Sequence, residues 1–219
     1  MADVRPIGPE PVRDPAPRQV WYTSYGSNMC LGRLACYIEG GRPLGTDTLY
    51  PGCRDRRLPH RSVPVELGGA LYFATRSPVW GGGRAFYDPA ADGRVRARAH
   101  LVSASQFADI AAQEMYREPG EDLDLSEVLT SGVARLGSGR YETLVCAGQM
   151  DGWPLLTFTA PWTADEVDPV SPSLAYLRVL VAGLLETGAW DADSVAAYIA
   201  SARGAAPHWS EQAIRDVIA

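Results

Sequence analysis

VWYTSYGSNMCLGRLACYI, residues 20–38, changes its periodicity halfway along. Residues 20–25 are β-branched and aromatic, which predicts a strand. The strand stops at Gly26, and residues 29–38 then follow a helical pattern, with Asn28 as a natural N-cap. A strand that hands over to a helix through glycine leaves several backbone N–H groups pointing outward. Such a nest suits an anion or a developing oxyanion. Gly26-Ser27-Asn28 is equally an ordinary turn and cap, and local physics supports both readings.

Working outward, residues 67–76, 95–102, 141–149 and 154–159 are predicted as strands, bordered by turn signals such as Pro51-Gly52, Gly81-Gly82-Gly83 and Asp92-Gly93. A helix is predicted over 105–116, with Phe107, Ile110, Ala111 and Met115 on one face and Glu114 near its edge. Three more helices are predicted over 173–187, 193–203 and 210–218. In the first of these, Leu174, Leu177, Val181, Leu184 and Leu185 recur at helical spacing. The acidic stretch 117–127, REPGEDLDLSE, has the composition of a solvated excursion. Residues 1–18 hold five prolines and no apolar periodicity, so they are expected to be a flexible arm. Residues 19–219 contain neither a repeat nor a linker and are expected to form one domain.

Composition narrows the function classes. The chain has 219 residues, 46% of them hydrophobic, with 22 glycines and 17 prolines; that excludes a helical bundle. Twenty-six acidic against twenty basic side chains give a net charge of −6, which argues against a nucleic-acid partner. The best apolar run, 174–185, is interrupted by Arg178 and falls short of the roughly 18 residues that span a bilayer. No membrane partner is expected. The N-terminus lacks a basic segment followed by an apolar one, so a cytoplasmic protein with reduced Cys30, Cys36, Cys53 and Cys146 is expected. His60, His100 and His208 show no metal-ligand spacing, and no metal or other cofactor is expected. The basic run Arg54, Arg56, Arg57, His60 and Arg61 is expected to be a solvated face rather than a dock for an acidic partner.

Tyr25-Gly26-Ser27-Asn28-Met29 resembles the YGSN signature of the gamma-glutamylcyclotransferase family. Three further landmarks follow in order: Ala112-Gln113-Glu114 at a helix end, Arg140-Tyr141-Glu142-Thr143 at the start of a strand, and Pro172-Ser173-Leu174-Ala175-Tyr176-Leu177 with Gly183 downstream. The resemblance covers about residues 20–190. It implies an α+β fold, a small mixed β-barrel flanked by helices. It also implies cyclisation of a small-molecule gamma-glutamyl substrate to 5-oxoproline, with release of an amine and no covalent enzyme intermediate.

The resemblance makes Glu114 the catalytic acid and base. Glu118, Glu121 and Glu142 are its competitors. Tyr25, Gly26, Ser27, Asn28 and Met29 would bind the substrate's carboxylate or carbonyl, and Tyr141 and Tyr176 would shape the pocket. A carboxylate needs a raised pKa to serve as base to an ammonium, so a partly dry pocket is expected. The stretch from Glu114 to Tyr141 is longer than the family pattern, which makes 117–139 a candidate lid. Six tryptophans suggest aromatic surfaces suited to a bulky amine. Two alternatives remain: a non-catalytic binding or regulatory domain, and an acyl-transfer enzyme that uses Cys30 at a helix N-terminus with a histidine base.

Overall fold

The computed structural model describes residues 2–8, 12, 14–43 and 47–218. The strand expected at the opening of the motif is the centre of its main sheet. This is β2 (Gln19–Ser24), preceded by the short β1 (Arg5–Ile7). On one side β2 pairs antiparallel with β6 (Arg94–Ser103); β6 pairs antiparallel with β3 (Ser62–Gly68), and β3 in parallel with β1. On the other side β2 runs parallel to β9 (Trp153–Thr159), followed antiparallel by β8 (Thr143–Met150) and β7 (Val133–Arg135). A separate antiparallel hairpin is formed by β4 (Ala70–Arg76) and β5 (Gly83–Asp88).

Residues 20–24 are all buried because helices cover both faces of the sheet. Val20 and Tyr22 face a core shared with α1 (Leu31–Glu39) and α2 (Ala104–Glu114), where they meet Leu34, Ile38, Phe107 and Ile110. Trp21 points the other way, into a core built with α4 (Leu174–Glu186), α5 (Ala192–Ser201) and α6 (Glu211–Ile218). The two-residue alternation of one strand thus joins two cores. The short α3 (Ser126–Ser131) packs Val128 beside the first of them. The sheet curls into a half-barrel: Asp151, in the β8–β9 turn, pairs with Arg5 at 2.9 Å and with Arg61 at 2.6 Å. The result is the mixed α+β architecture expected.

Several boundaries differ from expectation, for local reasons. Part of the proline-rich arm forms β1, because Val4 and Ile7 pack on the core and Arg5 is held by Asp151. The run 67–76 is two strands, broken where Gly69 adopts a φ of +119° and turns the chain from the main sheet into the hairpin. Tyr141 precedes β8 instead of opening it, since residues 140–141 form a turn. The acidic stretch is mostly exposed, but Leu125 is buried and leads into α3.

The fold presses α4 directly onto the motif. A methyl group on Gly183 would lie 2.8 Å from both the Cys30 nitrogen and the Met29 Cβ, so only glycine permits this approach. Gly183→Val is therefore expected to lower unfolding stability by about 1–3 kcal/mol through overpacking. The check is a guanidinium denaturation midpoint; an unchanged midpoint would contradict such close seating.

Candidate active site

The turn after β2 does more than cap a helix. Residues 27–29 form one 3-10 turn, in which the Met29 N–H donates to the Gly26 carbonyl (3.1 Å) and the Cys30 N–H to Ser27 (3.2 Å). That extra turn moves the N-cap of α1 to Cys30 and frees the Asn28 side chain from the capping role expected of it. Asn28 is buried; its Nδ2 donates to the Tyr22 hydroxyl and to Glu114 Oε1, both at 3.1 Å. Met29 differs from expectation in two ways. Its N–H is engaged within the turn, and its side chain is buried against α4, outside the residues that line the cavity.

Glu114 is the last residue of α2, whose start is fixed by a capping box between Ser103 and Gln106. The fully buried Asp109 braces the same helix by accepting from the Arg54 main chain at 2.8 Å and from its guanidinium at 3.0 Å. Burial raises the Glu114 pKa above the ordinary carboxylate value; Tyr37, Arg33, Asn28 and Arg84 pull it back only in part.

Tyr25, Gly26, Ser27, Asn28, Tyr141 and Tyr176 line one cavity with Glu114, of about 330 Å³. The tyrosines are fixed by main-chain partners. Tyr25 donates to the Phe158 carbonyl at 2.8 Å, and Tyr141 to the Ala85 carbonyl at 3.1 Å. The Ala85 N–H in turn donates to the Tyr176 hydroxyl at 3.4 Å.

The competitors lie elsewhere or are otherwise engaged. Glu142 pairs with Arg117 and accepts from the Gly139 N–H at 2.6 Å. Glu118 and Glu121 are exposed, Glu118 at the cavity rim. Cys30 and the three histidines do not line the cavity. His100 is buried beneath the turn, between the Ser62 hydroxyl (2.8 Å) and the Asn28 carbonyl (3.2 Å), and burial depresses its pKa to about 3.

Of the six tryptophans only Trp80 lines this cavity, stacked on Tyr176. Trp21, Trp153, Trp190 and Trp209 pack into the second core, so the aromatic surface of the cavity comes mainly from tyrosines. In the basic run, Arg54 is taken up by Asp109 and Asp122, Arg57 by Asp55 and Arg61 by Asp151.

Sequence reasoning missed Arg33 and Arg84, both buried and both lining the cavity. The available signal was a charged residue inside an apolar pattern. Arg33 falls on the buried face of α1 with Leu34, Tyr37 and Ile38, and Arg84 lies in a strand with every residue buried.

Fold and site together define an α+β protein with a cavity lined by Glu114 and the buried Arg33 and Arg84, with the exposed Arg117 and Glu118 also in its lining. No family model matches the chain. A curated relative, histone deacetylase 5 of Arabidopsis thaliana, is 31% identical over 204 residues, which cover 85% of this chain and 31% of that protein. The chain thus spans about a third of that relative's length. An uncharacterised protein of Homo sapiens has a solved structure with a TM-score of 0.46 and 16% identity, covering 79% of this chain and 82% of that one. A gamma-glutamyl cyclotransferase has a TM-score of 0.45 and 16% identity, covering 78% and 81%. Among the described residues, no helix is long and apolar enough to cross a membrane, and no cluster of three or more His, Cys, Asp or Glu could hold a metal ion.

The raised Glu114 pKa has a sign that stability can report. Below the ordinary glutamate range, folded and unfolded chains are both protonated there. Above it the unfolded chain ionises first, so the wild type loses stability until the pH passes the raised folded value. Glu114→Gln removes that loss. Its melting temperature is expected to exceed that of wild type at neutral pH and to converge with it in acid; a gap that widens toward acid would contradict the raised pKa.

Proposed function

We propose that the protein cyclises a gamma-glutamyl amine or gamma-glutamyl peptide to 5-oxoproline and releases the amine, with Glu114 as the one acid-base group. The observation that carries this reading is the 3.1 Å hydrogen bond from Asn28 to Glu114, which sets a carboxylate of raised pKa beside the glycine turn in a shared cavity. Four landmarks resembling the gamma-glutamylcyclotransferase family support it.

In this reaction the substrate's α-amino nitrogen attacks its own γ-carbonyl carbon and closes a five-membered ring. Glu114 accepts the protons that nitrogen must lose, one to free its lone pair and one on ring closure, and passes them in turn to the leaving nitrogen, which departs as an ammonium as the old amide bond breaks. No proton is gained or lost overall. The raised pKa suits both halves, since a more basic carboxylate takes the proton more readily and its conjugate acid still donates. The backbone at Gly26 and Ser27 supplies dipoles for the carboxylate or for the oxyanion formed on the γ-carbonyl. Because the attack is intramolecular, holding the substrate folded supplies much of the acceleration. Tyr25, Tyr141 and Tyr176, each locked to a main-chain group, form walls rigid enough for that task.

Incubation with a panel of gamma-glutamyl compounds is expected to yield 5-oxoproline by mass spectrometry, and Glu114→Gln to slow turnover by about 100-fold or more. Free glutamate as product would mean hydrolysis and would overturn cyclisation. No product from any compound would favour a binding domain.

A further inference from the structure

His100 is fully buried, lies outside the cavity lining and carries no proton in the cyclisation scheme. Burying an imidazole costs free energy unless both nitrogens are bonded, and an apolar side chain would fill the same space without that demand. Its partners show what it does instead. The Asn28 carbonyl can only accept, so the neutral ring carries its proton on Nε2 and donates across 3.2 Å; Nδ1 is left to accept from the Ser62 hydroxyl at 2.8 Å. Tautomer and ring plane are both set by these two bonds.

The sheet supplies the aim. Ser62 on β3, His100 on β6 and Tyr22 on β2 are register neighbours across three strands, and such neighbours project from one face. Tyr22 accepts one hydrogen of Asn28 Nδ2 and Glu114 the other, both at 3.1 Å. The main chain of Asn28 is held from below as well. The Leu31 N–H, which would reach the Asn28 carbonyl if the 3-10 turn ran on, donates to Glu186 at 3.2 Å and leaves that carbonyl to His100. Two residues earlier on β6, and so on the same face, Arg98 donates to the next carbonyl, that of Met29, at 3.0 Å. β6 therefore pins two consecutive carbonyls of the turn, and the one held by His100 belongs to the residue whose side chain reaches Glu114.

Building on the cyclisation reading, we propose that His100 is a positioning residue of the site: by holding the Asn28 carbonyl through Nε2–H it aims the Asn28 side chain at Glu114, and so fixes where that carboxylate stands. Ser62 serves the same end by holding the ring.

Two amides separate this from a histidine that only fills the sheet, since Gln sets a side-chain N–H near the place of Nε2 and Asn near that of Nδ1. Burial raises the Glu114 pKa, while Tyr37 and Arg33 on α1, Asn28 and Arg84 on β5 oppose the rise; of these only Asn28 is touched by a change at His100, and Arg117 and Glu118 in the cavity lining are not. In NMR titrations of the Glu114 carboxyl carbon in the full chain, His100→Asn is expected to move the midpoint up by about 0.5 to 1 pH unit as a hydrogen bond to a charge loosens. His100→Gln is expected to bring it most of the way back, and Ser62→Ala to move it the same way by less. With a gamma-glutamyl amino acid as substrate, His100→Asn is expected to lower kcat per folded molecule by about 10-fold, with a smaller effect on KM, and His100→Gln to regain most of the loss. A midpoint left in place by both His100→Asn and Ser62→Ala would overturn the proposal, as would equal shifts in His100→Asn and His100→Gln, or an unchanged kcat where the midpoint has moved. If His100→Asn does not fold, Ser62→Ala decides. The titration needs no substrate, so it decides even where no gamma-glutamyl compound is turned over, a result that removes the cyclisation and not the role of His100 in aiming Asn28.

Discussion

A hydrogen bond between side chains 86 residues apart, Asn28 to Glu114, joins the two halves of the site, and much of the architecture serves to hold its ends still. One end is fixed by β2 and the 3-10 turn, with Tyr22 beside Asn28 and the uncharged ring of His100 beneath it. The other is fixed by α2, capped at Ser103 and braced through Asp109. A buried hydrogen bond to a carboxylate is electrostatically stronger than one in water and costs much when broken. The carboxylate can therefore be kept partly dry without losing its aim.

Tyr22 and Trp21 explain why the site tolerates so little movement. Neighbours in one strand, they are anchored in separate cores on opposite faces of the sheet. A shift of β2 in either direction would disturb packing on both. Chemistry built at the end of such a strand inherits its rigidity.

The sequence made some of this legible and concealed the rest, for identifiable reasons. β2 was readable from its β-branched and aromatic run, and α2 and α4 from their apolar period. Glu114 was reachable only through the resemblance, since its position at the edge of a helical stripe looks like that of any surface glutamate. Arg33 and Arg84 were missed because the reading treats arginine as a surface residue, whereas here ring faces and neutral oxygens surround the guanidiniums. The role of Asn28 depended on a single 3-10 turn, which shifts a cap by two residues and leaves no mark on periodicity. β1 was hidden by the prolines of its segment, because composition says nothing of an edge strand held by its pairing with β3, one ion pair and a few apolar contacts.

That edge has a consequence of its own. β1 covers three positions of β3, and beyond it the sheet ends. Trimming the first eight residues would uncover Val65, Glu66 and Leu67, the three positions of β3 that β1 pairs. Such a rim is open to strand addition from a second molecule, and β1 occupies it while paired.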